Sequence, residues 1–181
     1  MVDASVALKW FFQSAPDETD VDAAVALLRA HRDGLADFDQ PPHFIAEVAA
    51  VLARTKPDET QADLCDLMDI DCRIIEDAAI HQTALDLAIR LDHHLFDTLY
   101  HAVALHTPTP CWSAGRRDSV KAQSIGYILL LDDPNNKTLK TMGDCFEHND
   151  GHGKQSLANL LASLILLAML THTLLDLDYP R

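Results

Sequence analysis

The chain has 181 residues, of which 48% are hydrophobic and only 6% aromatic, and its formal net charge is -14 at pH 7. One ordinary domain with a Leu, Ala, Ile and Val interior fits that length and composition, and extensive disorder does not. Residues 1–133 hold 10 Lys/Arg against 23 Asp/Glu, while 134–181 hold 4 against 5; the acidity argues against a broad nucleic-acid-binding face, which needs clustered cations, and leaves only local contacts.

MVDASVALKWFF opens with a very short strand signal that runs into an apolar, Ser-containing segment, and QSAPDETDVD follows as a polar break with helix-starting acids. A helix is predicted from about Val21 to His31, with Gly34 as its stop. After Pro41 and Pro42, HFIAEVAAVLAR places Phe44, Val48, Val51 and Leu52 on one helical stripe with Glu47 at its edge. Residues 58–71 read as an amphipathic helix, 72–75 as a short strand and 77–91 as a helix. HHLFDTLYHAVALH reads as a helix apolar on almost all sides, and hence sandwiched. TPTPCWSA and GYILLL read as two strand ends separated by a short helix in RRDSVKAQSI, and strands alternating with helices imply an α/β fold with a parallel sheet.

DDPNN at 132–136 is the best domain boundary, dividing a domain of residues 1–133 from a tail of 134–181. Within the tail, the 20 uncharged residues of SLANLLASLILLAMLTHTLL are long enough to span a bilayer. Asn159, Ser163, Thr171, His172 and Thr173 interrupt them and Lys154 is the only basic flank, so a helix buried by protein is expected instead. Cys65, Cys72, Cys111 and Cys145 lack zinc-module spacing, so free thiols in a reducing compartment, the cytoplasm, are expected. Asp3 and Lys9 interrupt the opening, and no secretory signal is expected.

Three acids stand at element ends or mixed faces: Asp3 after the first strand, Glu47 on the second predicted helix, and Asp97 near the start of LFDTLYH. Each also has an ordinary reading, as a solvated terminal residue, a helix-rim charge and a first-turn acid favoured by the helix dipole. If the Asp97 helix is covered on both sides, its carboxylate needs a partner. Carboxylates meeting there would form an oxygen-rich site for Mg²⁺ or Mn²⁺, able to activate water against a phosphodiester. His93, Asp97 and His101 follow at i, i+4 and i+8, but three ligands spread over two turns do not easily reach one ion.

MVDASVALKWF, PHFIAEVAAVLAR and LDHHLFDTLYHAVAL, followed by SAGRR and GYILLLDD, resemble in that order the PIN-domain ribonucleases, especially the VapC-type toxins of bacterial toxin–antitoxin pairs. The resemblance covers about residues 1–133 and implies a three-layer α/β/α fold with a central parallel sheet. It implies Mg²⁺- or Mn²⁺-dependent endonucleolytic cleavage of RNA, homodimerisation and inhibition by a small antitoxin protein. It puts Asp3, Glu47 and Asp97 in the positions of the family's metal-binding, catalytic acids, with Ser5 and Ser113 in supporting positions. The family commonly reads T-A-D where this chain reads Ser113-Ala114-Gly115, so a fourth acid is missing. Asp118 is a conceivable substitute, although an Asp there also suits a helix cap. Arg116, Arg117 and Lys121 are candidates to hold RNA phosphates, or form a solvated turn.

KTLKTMGDCFEHNDGHGKQSLANLLASLILLAMLTHTLLDL, about residues 137–177, resembles the C-terminal end of DDE-class insertion-sequence transposases. The catalytic Glu which that family carries just before this segment is absent, where this chain has DDPNN. The combined expectation is a toxin-type ribonuclease domain joined to a transposase-derived, mainly helical tail. The alternative is a PIN-fold binding module, or decayed fusion, that no longer cleaves.

Overall fold

A computed structural model of the chain describes residues 1–13, 15, 18–107, 109–115 and 126–132. The first helix, α1 (Ala4–Phe11), begins where the Asp3 carboxylate accepts the Ser5 N–H at 2.7 Å, satisfying a donor that the first helical turn leaves unpaired. The apolar segment of MVDASVALKWFF is therefore helical. Then comes α2 (Val21–Arg32), one residue longer than its periodicity predicts. Gly34 ends it at φ 69°, and the Leu35 N–H reaches back to Ala30 O at 2.8 Å.

Beyond β1 (Phe38–Gln40), the helix α3 (Phe44–Thr55) buries Phe44, Val48 and Leu52 of its expected stripe completely and Val51 only in part. The segment expected to be helical over 58–71 is helical only over Thr60–Met68, α4, because residues 57–59 form a turn after Lys56. Strand β2 (Cys72–Ile74) leads into α5 (Ala78–Leu91), which pairs with α6 (Leu95–His106) as a helical hairpin. Thr98 Oγ1 donates to Ala84 O at 2.8 Å inside that hairpin. Every residue of α6 from Thr98 to Ala104 is buried, so it is covered on all sides along its middle, as its composition predicts.

The chain closes with β3 (Cys111–Ser113) and β4 (Ile128–Leu130). Among the described residues, β1 pairs with β2 and β3 with β4, both in parallel. Val2 adds a parallel bridge to Trp112, which brings the N-terminal residues alongside β3. Burial lowers the pKa of the Met1 amino group, and the charges of Cys111, Asp39 and Cys72 oppose that fall. The architecture is thus mixed α/β, with six helices and two short parallel sheets among the described residues.

Strands of three residues form few ladder bonds, and side-chain packing has to hold them. One core runs from Val2, Val6 and Trp10 through Phe44 and Leu52 to Tyr100, Val103 and Trp112. Across the β1–β2 register, Arg73 makes a bidentate pair with the buried Asp39 at 2.7 and 2.8 Å. Cys65, Cys72 and Cys111 are free thiols. No helix among the described residues is long and apolar enough to cross a membrane. The tail of 134–181, with Cys145, lies outside the described residues.

Leu52→Ala should lower unfolding free energy by about 2–5 kcal/mol, since Leu52 is fully buried and its neighbours can refill the space only partly. Urea denaturation measures this, and a loss below 1 kcal/mol on the order-of-magnitude scale of such deletions, about that of a surface change, contradicts the described core.

Candidate functional site

Asp3 is fixed by backbone before its side chain matters. Its N–H donates to Trp112 O at 2.8 Å, and the Trp112 N–H donates to Met1 O at 3.1 Å. These bonds set residue 3 beside the C-terminal end of β3. Ser5 Oγ accepts the Ala114 N–H at 3.1 Å, and Ser113 Oγ accepts the Gly115 N–H at the same distance. Both serines therefore hold the backbone of residues 113–115.

Glu47 lies in the first turn of α3 and is about one-third exposed. Its Oε2 accepts the Tyr100 hydroxyl at 2.8 Å, and His43 Nε2 stands 3.6 Å from the same oxygen. Burial raises its pKa above the ordinary carboxyl value; the Tyr100 hydrogen bond opposes that rise, while the charges of Asp3 and Asp97 add to it. The Tyr100 hydroxyl is pushed up first by burial and then by the charges of Glu47 and Asp3. Asp3 and Asp97, distant in sequence, thus both act on Glu47. Asp97 sits in the first turn of α6, 30% exposed, with His93 Nδ1 at 3.6 Å from its Oδ2.

All three acids occupy helix N-terminal ends, as the cap of α1 and in the first turns of α3 and α6. Their negative charge is favoured there by the helix dipoles. A cluster of carboxylates nonetheless repels itself, and a divalent cation relieves that repulsion more effectively than a proton on one member. The donors are hard oxygens, the chemistry that suits Mg²⁺ or Mn²⁺. Among the described residues no three His, Cys, Asp or Glu side chains are gathered at ligand spacing. The acids are electrostatic neighbours rather than a closed coordination shell. Burial pushes the His43 imidazole beside them below its ordinary pKa, against the opposing hydrogen bond with the Phe96 backbone.

Of the residues expected from sequence, Asp3 and Asp97 both act on Glu47, and Ser5 and Ser113 bond the backbone of residues 114 and 115. His101 is directed elsewhere, since its Nε2 meets Gly126 O at 2.8 Å. Arg116, Arg117, Lys121 and Asp118 lie outside the described residues. Sequence reasoning passed over His43 and Tyr100. Their signal was present in the i, i+4 spacing of His43 with Glu47 and the i, i+3 spacing of Tyr100 with Asp97, which put each pair on one helix face. No protein-family model, curated protein or solved structure matches the chain.

Because the pKa of Glu47 is raised above 4.5 in the folded chain, the folded state binds the extra proton between 4.5 and that higher value. The stabilising contribution is complete below the unfolded pKa and is lost as pH rises through the folded one. Without divalent ions, the native chain should therefore lose stability relative to Glu47→Gln as pH rises through this window. Urea titrations of the two proteins would give parallel stability profiles if Glu47 were an ordinary solvated carboxylate.

Proposed function

We propose that residues 1–133 form a PIN-type, metal-dependent endoribonuclease, the toxin of a toxin–antitoxin pair, with a three-layer α/β/α arrangement around a parallel sheet. The observation that supports this reading is that Asp3 and Asp97, each at another helix start, both act on the half-buried Glu47. The sites of open parallel α/β folds lie beyond the carboxyl ends of their strands, and Asp3 and Ser113 stand at such ends.

In this reading the three carboxylates hold Mg²⁺ or Mn²⁺. A bound ion of that kind polarises a phosphate oxygen and lowers the pKa of water to give a nucleophile. Tyr100 keeps one oxygen of Glu47 engaged and so orients the carboxylate. Ser5 and Ser113 shape the rim through the 113–115 backbone. Arg116, Arg117 and Lys121 supply local positive charge for RNA phosphates in a chain otherwise strongly acidic. A homodimer and a small antitoxin belong to the same proposal. Residues 134–181 are a transposase-derived tail acquired by an insertion that altered the reading frame.

A second reading, a PIN-fold binding module without cleavage, is favoured by Gly115 in the place of a fourth acid and by the open spacing of the three that remain. Cleavage of labelled RNA by the full chain with Mg²⁺ or Mn²⁺ separates the two. The ribonuclease reading expects activity that Asp97→Asn lowers by roughly 10²-fold or more, the usual scale for losing a charge-stabilising group. Gly115→Asp should raise both metal affinity and rate. Activity present only in Gly115→Asp supports the binding module, and equal activity in the native chain and Asp97→Asn removes Asp97 from the chemistry.

A further inference from the structure

Phe96 lies in the first turn of α6, beside Asp97, and is 61% exposed. Trp10, Phe38, Phe44, Tyr100 and Trp112 are all buried, so the core takes up the other large rings while this one stays in solvent. A ring left so open gains little from folding. Its position is nonetheless fixed. Its centroid is 5.1 Å from that of the His43 imidazole, with the planes tilted by 40°, and His43 also hydrogen-bonds the Phe96 backbone. His43 in turn stands edge-on to Tyr100 at 5.0 Å, with Nε2 3.6 Å from Glu47 Oε2. The row of Phe96, His43 and Tyr100 therefore joins an exposed ring to the Glu47 carboxylate.

A nucleic-acid strand gains little here from phosphate contacts, because residues 1–133 hold 10 Lys/Arg against 23 Asp/Glu. Stacking of a base on an aromatic ring is indifferent to that charge. It needs an exposed ring held beside the site and a base that is not already stacked in a duplex. Phe96 supplies the ring, one residue from Asp97. We infer that Phe96 is the platform on which an unpaired base of single-stranded RNA stacks, seating the strand beside Glu47 and Asp97. The inference rests on RNA as the ligand of this site, the reading on which the proposed ribonuclease also depends. An apolar contact with a protein partner would accept any apolar side chain at this position, whereas stacking requires an aromatic face.

Fluorescence anisotropy of a short labelled oligouridylate, titrated with the full chain in a chelator that prevents cleavage, measures this contact. Phe96→Leu keeps apolar bulk against His43 and should weaken single-strand binding by roughly tenfold or more, the scale of losing one stacked base, by about the same factor at low and high salt. Phe96→Trp should bind at least as tightly as the native chain, and a labelled RNA duplex should not distinguish the three proteins. Equal single-strand affinity in the native chain and Phe96→Leu, or an equal loss for the duplex, overturns the stacking assignment. A change of sedimentation in Phe96→Leu with RNA affinity unchanged overturns it too and makes Phe96 a protein contact. In these cases cleavage of labelled RNA by the native chain with Mn²⁺ leaves the ribonuclease standing. Binding that requires an aromatic residue 96, without cleavage, supports the platform and overturns the ribonuclease. Neither binding nor cleavage by the native chain overturns both.

Discussion

The pairing of the first three residues with Trp112 is the constraint on which the rest of the structure depends. The bonds from Asp3 N to Trp112 O and from Trp112 N to Met1 O, reinforced by Ser5 Oγ on the Ala114 N–H, close a loop of more than a hundred residues. Closing so long a loop carries an entropic cost that grows only slowly with length, and the buried Val2, Trp10, Tyr100 and Trp112 side chains offset it. Without that closure residues 113–115 lose the Ser5 hydroxyl and keep only the local bond to Ser113.

The same closure creates an electrostatic difficulty. It carries Asp3 into the neighbourhood of Glu47 and Asp97, where burial already disfavours ionised Glu47. Three features keep the arrangement tolerable: each acid sits at a helix start, Tyr100 donates to Glu47, and the side chains of Glu47 and Asp97 retain about one-third of their exposure. A fourth carboxylate at residue 115 would increase the repulsion and with it the affinity for a divalent cation. Gly115 brings no such charge.

The helices were legible because their burial is periodic. Phe44, Val48 and Leu52 mark α3, and the near-uniform apolar run of α6 marks a helix packed on every side along its middle. The strands were harder to read. Phe38–Gln40 is three residues long, contains the acid Asp39 and is followed by two prolines, so nothing in its pattern competes with a loop reading; Arg73, 34 positions away, is what allows Asp39 to be buried. α1 was equally concealed, since its cap, Asp3, also reads as the end of a strand.

By itself the sequence determined the helix faces, the stop at Gly34, the acidic character of residues 1–133, the absence of an acid at 115 and the candidacy of Asp3, Glu47 and Asp97. These follow from local periodicity and residue chemistry, which operate over a few positions. Only the tertiary structure decided that Asp3 and Asp97 act on Glu47, that His101 turns away to Gly126, and that Tyr100 and His43 attend Glu47. Those relations depend on contacts between segments tens of residues apart, where no periodicity reaches and where packing alone determines which side chains meet.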